Sequence, residues 1–370
     1  MAGIYIHIPF CRKKCTYCDF HFSTTFQGYR GEMLLKMIEE LENRAQEIQD
    51  PIESVYFGGG TPSLLTPDEI GNFLLAIRSQ FSLSTDAEIT LEVNPEDLIL
   101  ENLDAWWRLG FNRLSIGVQT MNDELLTWMN RNHRATDTRK GLDLLQQYAF
   151  SVSIDLIFGV PQQTEADLEE LLALIDTYPI AHVSAYALTQ EPQTLLHHRV
   201  KTGKEPQLND EQQVAHYRLV EQALSTRGFE HYEVSNYAKP EKRAVHNGNY
   251  WKGKAYLGLG PGAHSFDGKR TRRWNVSNNA QYLKQQDWYE EETLSADNQW
   301  NELWLTGLRT QHGVTIERID ALGGFRVEEQ RMLETLIKQD KIHLQHNGYC
   351  LAQDHWLAAD GISMQLFRAG

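Results

Sequence analysis

The feature that most constrains this chain is a recurrence at the ends of its apolar runs. IYIHIPFC (residues 4–11), SVYFGGGTP (54–62), ITLEVNPE (89–96), RLSIGVQ (113–119) and SVSIDLIFG (151–159) each pass from β-branched, aromatic or leucine residues into glycine, proline or a polar side chain. Runs of that composition read as strands. Between them lie longer stretches, Tyr29 to Ile48, Pro67 to Gln80, Leu100 to Leu109, Thr136 to Tyr148 and Glu165 to Thr177, whose apolar residues recur three and four apart as on a helix. Strands that alternate with helices predict a parallel sheet joined by crossover helices. With His182 to Leu188 as a sixth strand, the expected class is α/β, a partial (β/α)6 TIM-like barrel short of the full eight. In such barrels ligands collect at the C-terminal ends of the strands, where the unusual residues stand here.

The remainder of the 370 residues is less regular. We expect a barrel core over 1–235, a connecting region over 236–293 and a helical, winged-helix-like domain over 294–370. The core would close with an amphipathic helix from Asp210 to Arg227. In the connecting region GLGPGAHSF (258–266) reads as a close-packed loop beside the barrel mouth, with His264 on its wall. In the last domain Asn347-Gly348, between two alternating runs, signals a hairpin.

Charge narrows the partners. The chain carries 35 Lys and Arg against 50 Asp and Glu, a net charge of −15, which repels a polyphosphate backbone and argues against a nucleic-acid partner. No stretch approaches a membrane span, and MAGIYIHIPF lacks the basic start and apolar core of a signal peptide, so a cytoplasmic protein is expected. Peripheral contact with a membrane-bound acceptor fits that expectation.

Three of the four cysteines, Cys11, Cys15 and Cys18, follow the first strand in a C-x3-C-x2-C spacing. Three thiolates can hold three corners of a 4Fe-4S cubane and leave the fourth iron open to a small ligand. Two blander readings compete. Offsets of four and three also put the thiols on one face of a helix, and a zinc site could recruit His7 or His21. Cys350, in the hairpin's second strand, reads as a buried hydrophobe.

The run YIHIPFCRKKCTYCDF (5–20) resembles the cluster loop of the radical S-adenosylmethionine (radical SAM) superfamily, and its lead-in resembles the coproporphyrinogen III oxidase-like branch. The resemblance continues in order through GGGTPS (58–63), EVNPE (92–96), SIGVQ (115–119), NRNH (130–133) and DLIFGVPQQT (155–164). It implies a radical SAM barrel with a 4Fe-4S cluster on Cys11, Cys15 and Cys18, fed by an electron donor. It also implies SAM contacts at Tyr5, Tyr17, Gly59, Gly60, Thr61, Glu92, Gln119, Arg131 and Asp155. Taken singly, Gly58 to Gly60 could be only a tight turn and Asp155 a helix cap or surface acid.

Within that branch the oxygen-independent oxidase carries a further cysteine two positions after the third, where this chain has Phe20. Asp19-Phe20 and His246-Asn247-Gly248-Asn249-Tyr250-Trp251 instead resemble the haem-chaperone branch, whose HNxxYW motif is associated with haem binding. An imidazole can ligate iron, and Tyr and Trp can stack on a porphyrin. The resemblance therefore implies a haem chaperone holding haem partly through His246 and passing it to an acceptor protein. The enzymatic alternative is radical decarboxylation of coproporphyrinogen III. The lesser alternatives are a zinc-stabilised binding protein and, for His246, a hydrogen-bonded histidine in an aromatic core.

Overall fold

Alternation within each strand decides which side of the barrel is polar. In β1 (Ala2–Ile8) the side chains of Ile4, Ile6 and Ile8 are wholly buried, so the strand's period of two turns Tyr5 and His7 to the other side. In β2 (Ile52–Gly59), Val55 and Phe57 oppose Tyr56 and Gly58. In β3 (Leu83–Val93), Leu91 and Val93 oppose Thr90 and Glu92. In β4 (Arg113–Gln119), Leu114, Ile116 and Val118 oppose Ser115, Gly117 and Gln119. In β5 (Ser151–Phe158), Ile154 and Leu156 oppose Ser153 and Asp155, and in β6 (Ile180–Ala187), Val183 and Ala185 oppose His182, Ser184 and Tyr186. These six strands lie side by side in chain order and run parallel.

The apolar set packs with the crossover helices into one continuous core. The polar set lines the interior, unlike the branched apolar filling of a closed eight-stranded barrel. Local signals place the helices. Thr66 and Glu69 form a reciprocal capping box ahead of Pro67–Gln80, and Thr164 with Asp167 does the same for Glu165–Leu172. The expected helix at Asp210 runs to Thr226.

The computed structural model describes residues 1–284, 288–345 and 347–368. Its main sheet extends beyond the six strands at both edges. The short β8 (Asn236–Ala238) pairs antiparallel with β6, and β7 (Glu230–Glu233) pairs antiparallel with β8 at the sheet's edge. On the other edge β9 (Tyr256–Leu259) joins β1 in parallel, followed by antiparallel β10 (His264–Phe266), β11 (Thr271–Asn275) and β12 (Tyr289–Thr293). The stretch at 258–266, expected as a loop, is thus mostly two strands and their turn. Its glycine at 258 is required by closeness: a Cβ there would lie 1.9 Å from the His264 carbonyl oxygen.

The C-terminal part has its own core of Trp300, Leu303, Trp304, Leu333 and Leu336, among others. Helices Ala296–Gly307, Ile316–Ala321 and Val327–Lys338 pack beside a small sheet of β13 (Val314–Thr315), β14 (Ile342–Gln345) and β15 (Gly348–Leu351). β14 and β15 pair antiparallel as expected, and Gly348 is already within the ladder, opposite Gln345. Among the described residues no helix is long and apolar enough to cross a membrane.

Candidate cluster and cofactor site

The cysteine loop leaves β1 at Pro9 and is pinned by backbone bonds from three directions. Gly60 and Thr61 donate their N–H groups to the carbonyls of Ile8 and Phe10 at 2.8 and 2.7 Å; Cys11 donates to Ser23 at 3.0 Å and Thr16 to Met129 at 3.1 Å. The Asn130 side-chain amide donates to the Lys14 carbonyl at 2.7 Å. Residues 11–18 form bends and turns with no helix, so the spacing does not make a helix face and that reading falls.

Cys11 is buried, and Cys15 and Cys18 are half-buried. Burial pushes the Cys11 thiol up to about 11 and the Cys18 thiol up to about 12, so metal binding here would release protons. Donors wait at two of the sulfurs: Thr61 Oγ1 donates to Cys11 Sγ at 3.5 Å and Arg131 Nη1 to Cys15 Sγ at 3.7 Å. Such outer partners orient and tune metal-bound thiolates. Among the described residues no three His, Cys, Asp or Glu side chains converge on one ion. His7 Nε2 is within 2.8 Å of the His21 carbonyl oxygen and its Nδ1 within 3.1 Å of Tyr5 Oη, while His21 Nε2 pairs with Asn279 at 2.7 Å. That arrangement suits a cluster, in which each thiolate needs only its own iron, better than one tetrahedral zinc ion.

The polar interior opens beside this loop. Glu92 accepts from Tyr56 Oη at 2.8 Å, and burial with Asp155 nearby lifts its carboxyl to about 8. Asp155 accepts from Ser115 Oγ at 3.2 Å and also bonds Ser184; burial lifts it to about 6. At neutral pH Asp155 is therefore mostly ionised, while Glu92 keeps its proton and is poised to ionise when a cation arrives. Arg131 is half-buried, donating to Asn94 Oδ1 at 2.6 Å and the Gly117 carbonyl at 2.8 Å; desolvation works against its charge, which Tyr17, Cys15 and Glu96 favour. Burial raises Tyr17, beside Cys15 and Cys18, although Arg131 pulls it down. Gln119 ends β4 at φ +65°, a left-handed backbone that costs roughly 1–3 kcal/mol in a non-glycine residue and marks functional sites.

The three glycines have a purpose the sequence did not disclose. Gly59 lies at φ +101°, and a Cβ there would fall 2.7 Å from His7 Nδ1; one on Gly60 would fall 2.5 Å from the Phe10 carbonyl oxygen. The turn is therefore tight because the cysteine loop packs on it.

His246 sits in an aromatic, hydrogen-bonded setting. Its helix, Val245–Trp251, seats the ring between Ser54 Oγ, 2.8 Å from Nδ1, and Tyr250 Oη, 2.8 Å from Nε2. The ring stacks on Tyr56 at 5.0 Å, and burial drives its pKa down to about 3. Both ring nitrogens are thus engaged in hydrogen bonds within the fold. The open space lies next to it: a cavity of ≈ 750 Å³ bounded by Tyr5, His7, Phe20, Tyr250, Trp251, His264 and residues of the C-terminal part. Phe20 is 66% exposed at this wall.

The sequence reading gave no role to Tyr56, Asn94, Ser115 or Ser184, which hold Glu92, Arg131 and Asp155. The signal was available in the polar member of each strand's alternation.

Comparison with known proteins agrees with this geometry. The Radical SAM superfamily profile matches residues 5–175. The E. coli coproporphyrinogen III oxidase HemN, a radical SAM enzyme, superposes with TM-score 0.84 at 23% identity, over 99% of this chain and 90% of its own. Fold and cysteine site thus define a radical SAM superfamily protein. Among sequence relatives, Heme chaperone HemW from Synechocystis is 36% identical over 90% of this chain and 84% of its own length, and that from Bacillus subtilis is 31% identical over 96% and 98%. A mouse relative named radical S-adenosyl methionine domain-containing protein 1, mitochondrial, is 34% identical over 85% and 74%. The chain belongs to the HemW family.

Proposed function

We propose that the chain is a haem chaperone that carries haem as cargo in the cavity beside its barrel and delivers it to an acceptor protein in the cytoplasm. Cys11, Cys15 and Cys18 would hold a 4Fe-4S cluster, reduced by an electron donor. Tyr5, Tyr17, Gly59, Gly60, Thr61, Glu92, Gln119, Arg131 and Asp155 would surround SAM. When bound, the cluster supplies an open iron and one-electron chemistry at SAM. The chain's own part is electrostatic: Asp155 offers a charged carboxylate and Glu92 ionises toward a cationic ligand, and Arg131, held by Asn94, the Gly117 carbonyl and Cys15, faces negative charge on the thiolates or a ligand carboxylate.

The observation that carries the reading is a loop of three thiols, two with donors on their sulfurs, beside a polar interior that opens into an aromatic-walled cavity. Phe20, in place of the oxidase's further cysteine, gives that cavity an exposed apolar wall residue suited to a macrocycle. The names of the HemW relatives support the same cargo.

The test is anaerobic reconstitution with iron and sulfide, then haem titration and transfer to an apo-acceptor, in parallel with coproporphyrinogen III turnover under SAM and reductant. Stoichiometric haem binding with transfer and without turnover is the expected result. Protoporphyrinogen formation without haem affinity would replace this reading with the oxidase. His246 acts in this scheme through Tyr250 on the cavity wall, so Tyr250→Phe should reproduce part of the affinity loss of His246→Ala. A ligand-type change in the haem spectrum in His246→Ala alone would instead make His246 the iron ligand.

A further inference from the structure

The C-terminal part has so far only closed one side of the cavity. Its helix Ile316–Ala321 brings in Arg318, half-buried on the cavity wall, with the guanidinium near the chain at Gly253, just past the His246 helix. Every other enclosed arginine near the site has a stated partner. Arg272 pairs with Glu302 through both guanidinium nitrogens, at 2.6 and 2.7 Å. Arg131 is held by Asn94, Gly117 and Cys15. The Arg318 side chain has no hydrogen bond or ion pair among the described residues, and burial alone works against its charge. A half-buried cation without a counter-charge costs stability unless something supplies the anion.

The surroundings agree in sign. The cavity wall carries Lys252, Lys269, Arg272 and Arg318 against two carboxylates, Asp19 and Glu302, in a chain whose net charge is −15. Glu302 is already committed to Arg272. The wall therefore has a surplus of positive charge where the molecule as a whole repels anions. Beside it Trp251 Nε1 is a buried donor without a partner among the described residues, and Tyr5, Phe20, Tyr250 and Phe266 supply flat apolar surface.

We propose that Arg318 is the carboxylate anchor of this cavity, so that the C-terminal part completes a site for a flat apolar ligand bearing acidic side chains. The assignment rests on the haem reading above, and the two acidic propionates of a porphyrin are the chemistry it would recognise. Planar guanidinium pairs with carboxylate in two parallel bonds, which Lys252 and Lys269 cannot imitate. Barrel and C-terminal part would then grip opposite ends of one ligand, macrocycle against the aromatic wall and acid against Arg318.

The experiment compares protoporphyrin IX and haem with their dimethyl esters, titrated into the reconstituted full chain and its Arg318→Gln and Arg318→Lys variants. The unaltered chain should bind the free acids about tenfold or more tighter than the esters, the equivalent of one charge-assisted pair. Arg318→Gln should lose most of that preference while its ester affinity stays within about twofold, and Arg318→Lys should recover only part of it. Because Arg318 has no partner among the described residues, its glutamine variant should keep or raise the thermal midpoint. A lowered midpoint would show a structural bond and overturn the assignment, as would an undiminished acid preference in Arg318→Gln. If the unaltered chain binds no porphyrin of either kind, the haem reading itself fails. If it binds acid and ester equally, haem carriage stands and only the anchor falls.

Discussion

Arg131 and Cys15 stand 116 residues apart in the chain, yet the guanidinium of one donates to the sulfur of the other at 3.7 Å. The same side chain ties the cysteine loop to Asn94 after β3 and to Gly117 within β4. One half-buried cation thus fixes the loop against two strand ends. Arg131→Met removes that tie and leaves two acceptors unmet, so the apo-protein should lose about 2–4 kcal/mol. Urea unfolding checks it, and iron bound per chain after reconstitution should fall in parallel.

Cysteine substitutions should separate the cluster loop from the C-terminal part. Cys11→Ser, Cys15→Ser and Cys18→Ser should each remove most of the iron-sulfur absorption after reconstitution. Cys350, buried and donating to the Gln311 carbonyl at 3.4 Å, lies in the C-terminal sheet. Its serine variant should keep the absorption and cost about 1 kcal/mol of stability, from a hydroxyl put where a thiol packed.

Two glycine substitutions should move the melting temperature in opposite directions. At Gly59 an alanine meets both a left-handed φ and the His7 ring, so Gly59→Ala should cost roughly 1–3 kcal/mol or more and disturb cluster loading. Gly248, inside the His246 helix, has open space where its Cβ would go, so Gly248→Ala should gain about 0.5–1 kcal/mol. A loss at Gly248 would show that the helix must bend or open.

Glu92 gives the fold a pH signature. Its carboxyl is lifted from an ordinary 4.5 to about 8 by burial, so between those values the folded chain keeps a proton that the unfolded chain has released. The stability it contributes is complete below the lower value and drains away as pH rises to the upper one. Glu92→Gln stays neutral and escapes the loss, so the variant should gain on the unaltered apo-protein from about pH 5 to about pH 8, by at most ~1.4 kcal/mol per unit, then level off. A difference independent of pH, followed by chemical unfolding, would mean that Glu92 ionises as an exposed acid does.

What the sequence by itself determined was the set of parts whose signals are local. Strand runs ending in glycine, proline or polar residues and the helical spacing between them specified the barrel, and three cysteines after the first strand marked the candidate cluster loop. The capping residues Thr66 and Thr164 and the alternation of Tyr5-Ile6-His7 lie within a few residues of what they control. Contacts across the chain had no such mark. Tyr250 stands one turn from His246, but nothing near residue 246 announces that Ser54 takes the other imidazole nitrogen, and nothing near residue 318 announces an arginine without a partner among the described residues. The same HNxxYW letters serve an open ligand or a buried one, because hydrogen-bond saturation depends on which distant groups the fold brings within 3 Å. Tertiary structure decided those points: burial and charge pairing belong to the packed neighbourhood, and most of each neighbourhood here comes from residues far away in the chain.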